Sequence, residues 1–192
     1  DYYCDAMSVC GLACAEIDIQ EANQFAWFST LHAFHPKYGP DKLGRMVGYG
    51  GNDKVPTCRY WTSNEYGPGA RCVDTSKAFN VSMSFHTSPR GDLRSMEVTL
   101  AQAGKPCTVS ASVDDYTIRW PNVPVMHGMA EITAALKAGM TPVASYWSSD
   151  HMLWLDGPGD DGKGPCVRDD ASACPESVKF SGFSVTDIGG GR

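Results

Sequence analysis

The chain has 192 residues, 42% of them apolar and 20% charged, which suits one globular domain with room for a sizeable core. Its net charge is −6 with the acidic residues scattered, so there is no basic patch for nucleic acid, and a neutral ligand such as a glycan fits without being singled out. No apolar run approaches ~18 residues, which excludes a helical membrane span, and the 20 glycines and 12 prolines suit many turns between short strands.

Residues 1–14 read as a cysteine-bearing loop. Residues 15–20 alternate as a strand, with Ile17 and Ile19 on the core side and Glu16, Asp18 and Gln20 on the other. Strict alternation then drives Glu21 into the core, and an unpaired buried carboxylate is costly enough that something must give. A β-bulge near Gln20 resolves the conflict, because one extra residue returns Glu21 to the face of Glu16 and Asp18. Two other readings remain open at this level: Glu21 leaves the strand end for solvent, or residues 15–28 form a helix. The bulged strand has a chemical use. Retaining glycosidases place two carboxyls about 5–5.5 Å apart, one as nucleophile and one as acid/base. A carboxylate between them raises at least one pKa, which keeps an acid protonated near neutral pH.

Further along, residues 35–70 are rich in Gly, Pro, Asn and Asp and read as long loops. NVSMSFHT (80–87) and RSMEVTLAQ (94–102) are strand-like around a turn at Pro89-Arg90-Gly91-Asp92, and CTVSASV (107–113) and DYTIRW (115–120) look like a second pair. Helical spacing of Ile132, Ala135, Leu136 and Met140 predicts a helix over 130–140 with Gly139 as its C-cap. PVASYW and MLWL flank a short break and read as adjoining strands. Gly157 to Pro175 is a turn-rich loop, and 176–188 alternates as a closing strand. The sum is an all-β sandwich or jelly roll, concanavalin-like, with one short helix.

Eight cysteines, even in number and widely spread, read as a disulfide framework made in an oxidising compartment. None has C-x2-C spacing, which argues against zinc. Asn80-Val81-Ser82 is a glycosylation sequon, in keeping with secretion. The chain opens at Asp1 with no initiator Met or signal peptide, so a mature or processed form is expected. Nothing fixes His32, His35, Asp150 and His151 into a metal site, and Asp156 to Gly162 lacks the closing Glu of an EF-hand. There is no G-x-S-x-G elbow and no phosphate-binding glycine loop. No metal and no cofactor are expected.

AEIDIQEAN resembles the E-M/I-D-I/V-W-E-A-N signature of glycoside hydrolase family 7, the fungal and protist cellulases. Tyr3 to Asp5 is similar to that family's Y-C-D segment, and Tyr66 to Gly69 followed by Asp74 to Lys77 is similar to its F-Y-G-P-G and D-T-T-K run. Ala134 to Gly157 and the tail VKFSGFSVTDIGG resemble its last two blocks, and all the blocks keep the family's order along the chain. EIDIQE alone would also fit the related family 16 glucanases. The resemblance implies a secreted, retaining hydrolase of β-1,4-glucan, with Glu16 as nucleophile, Glu21 as general acid/base and Asp18 orienting Glu16. It implies substrate contacts by His32, eleven residues after Glu21, by Arg59 on the leaving-group side, and by Trp147 and Trp154 as stacking platforms, since an indole offers a flat apolar face to a sugar. Without the resemblance, His32 would read as a surface or core residue, the two tryptophans as core residues of adjoining strands and Arg59 as a solvated loop residue. It also implies a Cys4–Cys14 bridge. Cys58–Cys72 and Cys166–Cys174 are then expected as local loops, leaving Cys10–Cys107.

The departures bear on function. Gln20 stands where the signature has tryptophan, Lys163 where the family often has arginine before the late cysteine, and only nine residues separate Cys4 from Cys14. The segment between the two tryptophans is two residues short. The shortened loops imply an open groove and internal cleavage. The chain lacks the family's usual N-terminal portion, so either it is a piece of a processed protein with the rest elsewhere or it is a reduced sandwich that closes itself. Unpaired edges of a half-sandwich invite pairing, which makes a partner chain supplying strands one of the expectations. The alternative is a non-catalytic glycan-binding or structural protein on the same fold, although such a module has no need of three carboxylates.

Overall fold

The computed structural model describes residues 3–50, 61–158, 166–173 and 177–186. In chain order the strands are β1 (Glu16–Ala22), β2 (Trp27–His32), β3 (Phe34–His35), β4 (Gly39–Pro40), β5 (Arg45–Tyr49), β6 (Tyr66–Gly67), β7 (Val73–Asp74), β8 (Asn80–Thr87), β9 (Leu93–Ala101), β10 (Val109–Val113), β11 (Thr117–Ile118) and β12 (Met126–His127). The helices α1 (Gly128–Ala138) and α2 (Leu153–Asp156) follow, then a single 3-10 turn at Ala171–Ala173. Two antiparallel sheets dominate, ordered β1-β2-β5 and β10-β9-β8.

One apolar core serves both sheets. Successive strand residues point to opposite faces, so Trp27, Leu31, Val47 and Tyr49 of the first sheet reach the same cluster as Met96, Val98, Leu100, Val109, Ala111 and Val113 of the second. Each large side chain withdrawn from water there contributes roughly 1.5–3 kcal/mol. Alternation along β9 is clear: Leu93, Met96, Val98 and Leu100 are buried while Arg94 and Glu97 are exposed. The β8–β9 turn is where the sequence places it. Gly91 takes φ 75°, and its N–H donates to the Ser88 carbonyl at 2.8 Å. Helix α1 packs on β9, its Thr133 hydroxyl accepting the Leu93 N–H at 2.9 Å and donating to the Met129 carbonyl at 2.7 Å. It ends at Gly139, whose N–H donates to the carbonyls of Ala135 and Leu136, as the sequence predicts. Its first residue, Gly128, lies so close to the Tyr116 ring that an added Cβ would sit 2.3 Å from it. The all-β class with one substantial helix is therefore the observed one.

Several local expectations are corrected. Residues 107–113 and 115–120 do not pair with each other: β10 pairs back on β9, and β11 pairs with β12, because Tyr116 between them turns into the core. Residues 35–70 are not all loop, since β5 completes the first sheet. The LWL of MLWL, Leu153 to Leu155, lies in the short helix α2 rather than in a strand, with Met152 as its N-cap. PVASYW (142–147) and 177–186 form no strand, although both are extended in pattern. A strand needs a ladder partner, and among the described residues neither segment has one. Ile19 is not in the core but half exposed, next to the irregularity in β1, whereas Ile17 packs against the core as expected.

The cysteine framework differs as well. Cys4–Cys14 is bridged as expected, but Cys72 pairs with Cys107, which replaces both Cys58–Cys72 and Cys10–Cys107. Buried Cys72 lies against the second sheet at the start of β7, with 4.8 Å between its Cα and that of Cys107. Cys58 and Cys174 lie outside the described residues. Cys10 carries a free, exposed thiol, and the free thiol of Cys166 lies 3.2 Å from an Asp156 carboxylate oxygen.

Candidate active site

The register of β1 on β2 settles which side Glu21 takes. Glu16 lies opposite His32 and Asp18 opposite Thr30, but Glu21 lies opposite Phe28, so β1 spends three residues where β2 spends two. That is a bulge across Ile19 and Gln20, where the sequence places it, and the helix over 15–28 does not form. The Ser29 hydroxyl donates to the Ile19 carbonyl freed at this point. His32, Thr30 and Phe28 share one face of β2, so their partners Glu16, Asp18 and Glu21 share one face of β1. The opposite face carries Ile17, Trp27 and Leu31 into the core. Strand β2 is thus buried on both sides, which is why Ser29, Thr30 and His32 are inside along with its apolar residues.

The acids are held unequally. Glu16 Oε2 accepts the Ala6 N–H at 2.9 Å. Asp18 Oδ2 lies 3.2 Å from His32 Nε2. His32 Nδ1 lies 2.9 Å from the Asp41 carbonyl, which can only accept, so Nδ1 carries a proton. Asp41 is held in turn by the Tyr116 hydroxyl, which donates to its Oδ2 at 2.7 Å and accepts the Ala33 N–H at 3.1 Å. Space at His32 is tight: an added Cβ at Gly44, which has φ +64°, would sit 2.7 Å from His32 Nδ1 and from the Leu31 carbonyl.

These surroundings set the protonation. Burial, then the neighbouring charges of Asp18 and Glu16, push Glu21 up to about 7, with His32 partly opposing. Burial and Asp18 also raise Glu16, against the Ala6 N–H and His32, which favour its charged form. Burial alone would lower His32, but its hydrogen bonds to Asp18 and the Asp41 carbonyl outweigh that and raise it. The arrangement can therefore offer one carboxyl, that of Glu21, that is protonated near neutral pH. Glu16, Asp18 and His32 each bring a possible ligand atom to within 4.8 Å of the others. The Asp18–His32 contact joins two of the three, while Glu16 is held by the Ala6 N–H.

The remaining predicted residues are more scattered. Trp154, on α2, is partly buried with its ring 6.2 Å from that of Phe28, the residue opposite Glu21. Trp147 is half exposed on a stretch without regular structure. Arg59 lies outside the described residues, as does Lys163. Asn80 is exposed at the first residue of β8, accessible to modification.

Some residues of consequence carried no sequence signal as site residues. Ala6 and Asp41 act through backbone groups, and Tyr116 is distant in sequence. Asn23, two residues past Glu21, was visible only as a letter of a motif. Its side chain accepts the N–H groups of Phe25 and Ala26 and donates to buried Asp156, while its carbonyl accepts the Tyr66 hydroxyl at 2.8 Å. The YGPG and DTSK segments thus brace the strand end: the Asp74 carboxylate, held well below the usual range first by the Ser76 hydroxyl, also accepts the Gly69 N–H.

With this geometry in hand, the curated proteins offer a comparison. The chain is 28% identical over 200 residues to the probable endo-β-1,4-glucanase celB of Aspergillus clavatus, covering 92% of this chain and 46% of that protein. The sequence relationship is to a cellulase. The chain spans about half the length of that relative. Among solved structures, the native endocellulase EGI of Humicola insolens is 23% identical, with 65% of this chain and 32% of that chain covered at a TM-score of 0.38. No protein-family model matches the chain.

Proposed function

We propose that this protein is a retaining glycoside hydrolase of the family 7 type, acting on β-1,4-glucan by internal cleavage. The observation that supports it most is the β1 bulge, which sets Glu16, Asp18 and Glu21 on one face. The similarity to a probable endo-β-1,4-glucanase agrees with it. In the first step a Glu16 oxygen attacks the anomeric carbon, the glycosidic C–O bond breaks, and the Glu21 proton goes to the departing oxygen. In the second, Glu21 takes a proton from water, the hydroxyl oxygen bonds to the anomeric carbon, and the Glu16 carboxylate is released. Asp18, tied to His32, orients the nucleophile. Trp154 and Trp147 supply apolar platforms for the sugar rings, and Arg59 contacts the leaving-group side. The eight cysteines and the exposed Asn80 sequon support a secreted, glycosylated protein.

Purified protein and its Glu16→Gln variant, assayed on soluble β-glucan, test this reading. The expected result is turnover by the parent and a loss of at least about a thousandfold in the variant. Equal turnover by both removes Glu16 from the mechanism. Binding without turnover by either supports the second reading, a non-catalytic glycan-binding protein.

A further inference from the structure

The loop between Cys4 and Cys14 is poorly anchored by packing. Met7, Val9, Cys10, Gly11 and Leu12 are exposed, and such a segment would ordinarily open at little cost. Yet at its base Ala6 is fully buried and Asp5 nearly so. Three features hold that base: the Cys4–Cys14 bridge, the Asp5–Ala13 backbone pairing, and the Asp5 carbonyl accepting the Cys14 N–H at 3.1 Å. From this base the Ala6 N–H reaches outward to Glu16 Oε2 at 2.9 Å.

We propose that the disulfide-closed loop is a positioning clamp for the reacting carboxylate, in which the bridge holds the Ala6 N–H on one Glu16 oxygen and so leaves the other oxygen free to meet the sugar. This rests on Glu16 being the nucleophile. A backbone donor suits the task, since no rotamer change can withdraw it. It also offsets an unfavourable field. Glu16 is faced by Asp18 on its own strand, by Glu21 beyond the bulge, by Asp5 from the loop, by Tyr3 just before it and by His32 from β2, and His32 alone among these can carry positive charge. A hydrogen bond to the charged form favours that form. Ala6 is a positioning residue, because it reaches the substrate only through Glu16.

The test follows the Ala6 amide proton by NMR across a pH titration of the whole chain. Its chemical shift is expected to track a carboxyl ionisation that vanishes in Glu16→Gln. A flat Ala6 signal overturns the clamp, even if Glu16→Gln abolishes turnover and the hydrolase reading stands. A tracking signal in a protein whose Glu16→Gln variant is fully active would retain the contact and remove the reading on which its purpose rests. In the Cys4→Ser/Cys14→Ser double variant, kcat is expected to fall about tenfold, the worth of one charge-assisted hydrogen bond, and the acid limb of kcat/KM to move to higher pH. A double variant with an unchanged acid limb overturns the role of the bridge. If the double variant fails to fold, the wild-type titration still decides whether the contact exists.

Discussion

At the scale of single residues, the site is a problem of proton placement. Glu21 is raised from an ordinary value of 4.5 to about 7, so the folded state holds its proton more tightly than the unfolded chain does. This stabilisation is complete below the unfolded value and is lost as pH rises through about 7. Glu21→Gln cannot ionise, so its melting temperature should gain on the parent by a few degrees between about pH 4.5 and pH 7.5. A pH-independent difference in melting temperature would contradict the raised value. Activity should show the same group from the other side. The parent's kcat/KM should fall as pH rises through about 7, and Glu21→Gln should lose about a hundredfold or more. The acids were legible in the sequence because their residue types carry the chemistry. Ala6 and Asp41 were not, because a backbone N–H or carbonyl leaves no trace in composition.

At the scale of elements, the site depends on β1 having one residue more than the stretch of β2 it pairs with. Glu21 could be placed from the sequence because alternation plus the cost of burying a charge left few alternatives. Strand β2 was not legible for the opposite reason. Buried on both faces, WFSTLH has no period-2 signal to read, and β5 was hidden among glycines. The tail misled in its own way: Val178, Phe180, Phe183 and Val185 are mostly apolar positions of a strand pattern, but pattern alone cannot supply a ladder partner. The bulge gives a direct prediction. Deleting Gln20 removes the extra residue and leaves a regular ladder, in which Glu21 takes the place of Gln20 and stays on the face of Glu16 and Asp18. The deletion variant should therefore fold by circular dichroism and keep activity well above that of Glu21→Gln, and Gln20→Ala should stay near the parent. A deletion variant as inactive as Glu21→Gln would show that the shared face alone does not set the site.

At the scale of the whole molecule, the structure leaves apolar surface uncovered. Val143, Tyr146 and Trp147 on one segment and Phe180, Phe183 and Val185 on another are about half exposed or more. Clusters of this kind mark interaction surfaces more often than free ones. We expect a strand-supplying partner chain to cover the 177–186 segment. In its absence the 192-residue chain should self-associate, with light scattering giving masses above the 20.7 kDa of one chain and rising with concentration. A strict monomer at all concentrations would contradict that expectation. Sequence could show that extended apolar segments existed here, but not whether anything in the chain pairs with them, since pairing is a property of distant residues.

The most direct measurement is to trap the glycosyl-enzyme. A 2-deoxy-2-fluoro cellobioside with a good leaving group should form the covalent intermediate and turn it over slowly, because fluorine destabilises both oxocarbenium-like transition states. Peptide mapping by mass spectrometry should then place one glycosyl group on Glu16 in the parent and none in Glu16→Gln. A label on another residue, or turnover of β-glucan with inversion at the anomeric carbon, would contradict the proposed chemistry.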